Sequence, residues 1–284
     1  MKVVIDGDVL PYSCGFAAKG EPLSHVLKLI KNKLEQIIKD TKADEYELYI
    51  AGEGNFRDDI AVTDMYKGNR TAPRPPTYEA SRDYMVNVWG AKKVDGMEVD
   101  DKVSYLLYKD FLKGGKDVIL SSNDKDLKNT PGLHYNPRTR DSYWISENQA
   151  LRHFCFQMLC GDSVDNIKGL PHCAASTYTK YGLTKASLKG CGKVSAKKIM
   201  YTSSTWEEAL EDVFVAYLHC GEEAHLSEDQ TKEYILEQGQ LLWMTREMEL
   251  DQPKLFTIDE IIYARAIDRY RAERVTGYDT SSGY

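Results

Sequence analysis

The chain has 284 residues, 42% hydrophobic and 29% charged, with a net charge of −7. That suits one large or two small globular domains with a proper core, and the apolar runs are far too short to span a bilayer. The opening MKVVIDGDVL is not an export signal, and six scattered cysteines form no CxxC or Cys/His ligand spacing, so the expectation is a cytosolic chain with free thiols and no zinc.

In chain order, Val3–Asp6 has the pattern of a short buried strand ending at Gly7. Leu23, Val26, Leu27, Ile30, Leu34, Ile37 and Ile38 follow helical spacing behind Pro22. Glu47–Ala51 is a second strand, and Phe56 to Thr77 is irregular, with Gly68, Pro73, Pro75 and Pro76. Tyr78–Trp89 is helical and Lys92–Val94 a short strand. Val99, Val103, Leu106, Leu107 and Phe111 mark the next helix face, and Asp117–Leu120 another apolar strand. His134–Asn136 and Tyr143–Ile145 flank the turn Pro137–Asp141 as a hairpin. Ser146 and Gln149 form a capping box for a helix to Cys160, after which the chain is mostly helical. Strands alternating with helices predict an α/β fold with a parallel sheet, whose ligands sit at the C-terminal strand edge.

Carboxylates fall at that edge. Asp6 and Asp8 end the first strand, and Glu53 follows the second. Glu98, Asp100 and Asp101 open the helix after the third. Asp124 and Asp126 follow the Asp117–Leu120 strand, and Asp162 and Asp165 follow the capped helix. Taken singly, these are ordinary helix-dipole acids or turn formers. Taken together, they would repel unless hard divalent cations held them; Mg²⁺ suits few direct ligands and several waters. Two groups of acids suggest two metals about 4 Å apart, the arrangement that supports in-line phosphodiester hydrolysis.

The charge distribution points to nucleic acid. Between Asn166 and Trp206 there are seven lysines and no acid, which leaves the rest of the chain twice as negative as the total suggests. A basic block in an acidic protein addresses phosphate, although a solvated lysine face would look the same. Lys67, Arg70 and Arg74 lie in an acid-free stretch suited to a scissile phosphate, with Tyr66 placed to stack on a base. Gly190 and Gly192 precede a helix start carrying Lys193, Ser195, Lys197 and Lys198, a combination that lets backbone approach phosphate.

The ordered set VIDGD, YKGNR, MEVDD, SSNDKD, GDSVDNI and KGCGKVSAKK, over about residues 1–200, resembles the bacteriophage flap endonucleases and 5′→3′ exonucleases, with EQGQLLWMTR as a further similar segment. The resemblance implies a PIN-like nuclease core over 1–150 and a helical part over 151–284. It implies an arch segment at about 54–78, an irregular stretch of the kind that orders on binding, and a helix-three-turn-helix duplex-binding hairpin at about 186–200. It assigns Asp6, Glu98, Asp100 and Asp124 to one metal (Mg²⁺ or Mn²⁺), and Asp126, Asp162 and Asp165 to a second, with Asp101 and Asp126 bridging. Lys67 and Arg70 match the arch pair at the scissile phosphate, and K⁺ is implied at the hairpin. Glu53 stands where relatives carry Asp, which implies a water-mediated reach. Asp8 is an extra acid, and residues 170–189 are an insertion ahead of the hairpin. The implied substrates are duplex DNA with 5′ ends or flaps and RNA–DNA hybrids, in phage replication or DNA degradation beside other replication proteins. Two rival readings are a haloacid-dehalogenase-type phosphatase with Asp6 as nucleophile, and a non-catalytic DNA-binding module.

Overall fold

Val3, Val4 and Ile5 have essentially no exposed surface because both faces of the first strand are covered. The computed structural model describes residues 1–171 and 191–278. Its first elements are β1 (Lys2–Asp6), α1 (Val9–Ala17), α2 (Leu23–Thr41), β2 (Glu45–Ala51), α3 (Arg57–Ile60), α4 (Tyr78–Trp89), β3 (Lys92–Val94), α5 (Val99–Phe111) and β4 (Val118–Ser121). They are followed by a 3₁₀ turn at Asp126–Asn129, then β5 (Gly132–Asn136), β6 (Asp141–Ile145) and α6 (Glu147–Cys160). The expected α/β fold with a mostly parallel, helix-flanked sheet is what forms. The sheet order is β3-β2-β1-β4-β5-β6, and only β6 runs antiparallel, as the second arm of the expected hairpin.

Strand parity sorts the side chains. Val3 and Ile5 join Leu10, Val26, Ile30, Leu34 and Met85 on the α1/α2/α4 side. Val4 and Leu120 join Val99, Val103 and Leu107 of α5 on the other side. Helix α1 is absent from the sequence-based expectation. Its Pro11 and Gly15 mask the periodicity, and both are buried. Gly7 is required between β1 and α1, since a Cβ there would lie 2.6 Å from the Tyr49 carbonyl oxygen.

The chain divides into two compact units. The first holds the sheet (Met1–Asp59 and Thr71–Ala150) and takes back Met244–Lys254, which carries the small hairpin β7 (Met248–Glu249) and β8 (Gln252–Pro253). The second holds Ile60–Arg70, Leu151–Trp243 and Leu255–Tyr284. It is helical, with α7 (Lys193–Ile199), α8 (Trp206–Glu223), α9 (Glu228–Leu242) and α10 (Glu260–Tyr278). Capping boxes at Thr205/Glu208 and Ser227/Gln230 start α8 and α9, and the one expected at Ser146/Gln149 starts α6. Residues 60–70 and 244–254 thus belong to compact units other than those of the chain around them. Among the described residues no helix is long and apolar enough to cross a membrane.

One buried group links this fold to pH. His134 on β5 is 4% exposed, and its Nε2–H donates to the Thr130 carbonyl at 2.9 Å. Burial pushes its pKa down from 6.5 to about 4. The unfolded chain takes up this proton as pH falls through 6.5, but the folded chain does not until about 4. Stability is therefore lost on acidification across that window, on the order of 3 kcal/mol at the limit. Urea unfolding of wild type and His134→Gln at pH 7, 5.5 and 4.5 should show the wild type losing more. Parallel losses would refute this role.

Candidate metal centre and its neighbours

Asp6 ends β1, with Val4 two residues before it facing α5. Its neighbours in the sheet are β2 and β4, and the chain crosses from one side of β1 to the other between them, so Asp6 stands at the topological switch point of the parallel sheet. Asp6 is 7% exposed; its Oδ2 accepts the Ser122 hydroxyl at 2.9 Å and its Oδ1 the Asp8 N–H at 3.2 Å. The Ser122 oxygen accepts the Asp124 N–H at 3.0 Å, and Asp124 Oδ1 accepts the Asp126 N–H at 2.8 Å. Asp8 Oδ1 accepts the Ala51 N–H at 2.8 Å. A polar chain thus links the C-terminal ends of β2, β1 and β4.

Burial pushes the Asp6 carboxyl up to about 7; the negative charge of Asp8 and then of Asp124 add to this, and the Ser122 hydrogen bond opposes it. The nearest guanidinium along the chain of contacts is Arg82 on α4, 3.8 Å from Asp8 Oδ1 and hydrogen-bonded to the Ala51 carbonyl.

Glu98 and Asp100 occupy the start of α5 at the same sheet edge. Glu98 is the N-cap residue but makes no side-chain cap hydrogen bond, and Asp100 is half-buried. Glu53 is exposed after β2, its backbone held by the Asp95 carboxylate and by the Gly96 N–H. Asp126 begins the 3₁₀ turn with Lys125 3.8 Å away.

All donors in this set are oxygens, the chemistry Mg²⁺ and Mn²⁺ take. No group of three His, Cys, Asp or Glu side chains among the described residues is gathered as a ready-made cage. An ion that keeps most of its waters and takes one or two carboxylates directly fits such a sparse arrangement; a tetrahedral zinc cage does not.

Asp101 requires a correction. Expected as a bridging metal ligand, it is fully buried in a forked ion pair with Arg57, itself fully buried. Asp101 Oδ1 also accepts the Thr245 N–H at 3.0 Å and its hydroxyl at 2.9 Å. Both carboxylate oxygens are committed to protein donors, so Asp101 is a structural anion holding α3, α5 and the Met244–Lys254 segment. Arg57 and Thr245 had no signal in local sequence, because they lie 44 and 144 residues away from it.

The other two expected metal ligands lie in the second unit. Asp162 is 3% exposed and closes a tight loop: its Oδ1 accepts the Val164 N–H at 2.8 Å, and its backbone bridges Ile167. Gly161 precedes it at φ +62°, where a Cβ would lie 2.3 Å from the Ile167 carbonyl oxygen. Asp165 accepts hydrogen bonds from Arg70 and from Tyr66 Oη (3.1 Å), and Lys67 Nζ lies 3.8 Å away. Backbone and amide bonds from Lys67 N to Asp165 O and from Asn69 to Ser163 O join the loops at 65–70 and 162–166. The basic pair expected at a scissile phosphate thus shares Asp165 as counter-ion.

Tyr66 is a second correction. It is 7% exposed within the core of the second unit and is not presented for base stacking. The segment expected to order on binding already has partners: Val62 N–H and Thr63 N–H both bond the Glu237 carboxylate. Arg74 is exposed, 3.2 Å from Glu79 and stacked 4.7 Å from the Tyr78 ring centre. Gly192 is the N-cap of α7, whose Lys193, Lys197 and Lys198 are exposed and whose Ser195 is half-buried. Gly190, most of the 170–189 insertion, and with them the implied K⁺ hairpin lie outside the described residues.

No protein-family model and no curated protein matches the chain. Among solved structures, a bacteriophage T5 5′-exonuclease with bound zinc ions aligns at 17% identity and a TM-score of 0.48, over 86% of this chain and 100% of that one. A T5 D15 flap endonuclease variant with DNA and metal ions aligns at 15% and 0.47, over 85% and 99%. The catalytic core of Rad2 with a DNA substrate aligns at 12% and 0.43, over 95% and 78%. At these TM-scores the likenesses assign neither a family nor an activity to this chain.

Proposed function

We propose that the chain is a divalent-metal-dependent nuclease with a PIN-like core that hydrolyses phosphodiester bonds of DNA from 5′ ends or at flaps. The observation that carries this is Asp6: a buried carboxylate at the switch point of a parallel sheet, crowded by Asp8 and Asp124. Such crowding is unfavourable unless a bound cation offsets it. The narrower reading, a 5′-nuclease, rests on six motifs that occur in the order of the phage nucleases they resemble.

Bound at Asp6 and Asp124, with Asp100 and Glu98 at the same sheet edge, Mg²⁺ or Mn²⁺ would supply a water activated for attack and stabilise developing charge on phosphate. Ser122 orients Asp6 through its hydroxyl and Asp124 through that residue's N–H, so one side chain sets two carboxylates. Arg82 offers a guanidinium to a phosphate oxygen near Asp8. Lys193, Lys197 and Lys198 would hold duplex backbone. The product carries a 5′-phosphate, and replication or DNA degradation in a phage-infected cell is the setting these motifs suggest.

The test is cleavage of 5′-labelled blunt, gapped and flapped duplexes, first with Mg²⁺ and then with a chelator. Cleavage that vanishes on chelation and returns with Mg²⁺ or Mn²⁺ is expected. Cleavage insensitive to chelation, or none on any duplex, rules out the reading. Product sizes at nucleotide resolution separate exonuclease from flap cutting.

A further inference from the structure

A cavity of about 550 Å³ opens between α1, α2, the loop after β4 and the β5–β6 turn. That volume lies in the range of small-molecule sites. Leu10, Leu29 and Ile37 give it an apolar floor, and Lys33 and Arg138 give it a cationic rim. Two of its lining residues neighbour candidate metal ligands in sequence: Val9 follows Asp8 and Asn123 precedes Asp124.

The two cations stand out in so acidic a chain. Neither Lys33 nor Arg138 has a carboxylate at ion-pair distance among the described residues. Lys33 Nζ instead donates to Ser13 Oγ at 3.2 Å. Arg138 is exposed, and its backbone N–H donates to Asn136 Oδ1 at 2.9 Å. An apolar floor with two cations that lack a carboxylate partner among the described residues matches a ligand with a flat apolar ring and an attached anion.

We propose that this groove holds one nucleotide of the substrate strand, its base against Leu10, Leu29 and Ile37 and its phosphate at Lys33 and Arg138. The proposal rests on the nuclease reading. The groove would keep the strand on the α1/α2 side of the sheet edge and so fix which phosphodiester meets Asp6 and Asp124. Base contact through an apolar floor is sequence-tolerant, which suits a nuclease that reads structure.

The experiment uses the full chain in chelator and a fluorescent 5′-phosphorylated single-stranded hexanucleotide, followed by anisotropy at several salt concentrations. Lys33→Glu and Arg138→Glu should each weaken binding roughly tenfold, and neutral Lys33→Gln should lower the salt slope by about one. Leu29→Trp, which fills the groove without altering charge, should weaken binding with the slope unchanged. Asn32→Trp, at an exposed position on the same rim, serves if Leu29→Trp melts early. Wild-type affinity in the charge variants, or in both filling variants, overturns the proposal. The nuclease reading is judged separately, by wild-type cleavage with Mg²⁺. Cleavage with normal hexanucleotide binding in every variant sinks the groove alone. Weakened binding in the variants with no wild-type cleavage sinks the nuclease and leaves the groove.

Discussion

Asp6→Asn should reduce Mg²⁺-dependent cleavage on the order of 100- to 1,000-fold while making the metal-free protein more stable. Asn is nearly isosteric, and its amide can still meet the Ser122 hydroxyl and the Asp8 N–H that now bond the carboxylate. What it lacks is the charge. In the wild type that charge is buried and faces Asp8 and Asp124, which is why the carboxyl holds its proton up to about 7. Removing it relieves desolvation and repulsion, worth on the order of 1–3 kcal/mol without metal. The two effects have opposite signs, the pattern expected where an active site is kept strained for its chemistry. Thermal melting with and without Mg²⁺ supplies the second readout. Wild type should be stabilised by the ion through preferential binding to the folded state, and the Asn variant much less. A variant that cleaves normally and gains the same stabilisation from Mg²⁺ would remove Asp6 from the metal centre.

Strand ends were legible because buried parallel strands are short apolar runs bounded by Gly or acids, and β1 and β4 have that form. The sheet edge at which Asp6, Glu98, Asp100 and Asp124 lie follows from the alternation of strand and helix. Partner choice was not legible. Asp100 and Asp101 are adjacent in sequence at a helix start, yet about 100° apart around the helix, so one is half-buried while the other is fully enclosed. Only the fold shows that Arg57 waits on the enclosed side. Tyr66 failed as a stacking residue for the same reason: an aromatic beside a lysine is equally consistent with a core residue flanked by a charge, and nothing local distinguishes them. Ser122 carried a weak signal. A hydroxyl between a strand end and an acid is a common turn residue, and its bridge from Asp6 to Asp124 exists only because β1 and β4 are neighbours.

Asp101→Asn should destabilise the first unit by about 3–5 kcal/mol, because it removes the forked carboxylate partner of the fully buried Arg57 and leaves Glu98, 3.8 Å away, as the more distant one. The Thr245 hydroxyl and N–H also lose part of their acceptor, which should loosen the return of Met244–Lys254 onto the sheet unit. The same substitution separates the two roles Asp101 has been given. A metal ligand replaced by its amide would leave the melting temperature of the metal-free protein unchanged or raised, as expected for Asp6, and abolish turnover. A structural anion replaced by its amide lowers the melting temperature and leaves turnover per folded molecule largely intact. A double-mutant cycle sharpens the distinction. Removing both charges, as in Arg57→Met with Asp101→Leu, should cost less than the sum of the single changes, because each single variant leaves a buried charge that has lost its main opposite charge. Strict additivity of the two changes would mean that the pair does not hold these segments together, and Asp101 would return to the list of candidate metal ligands.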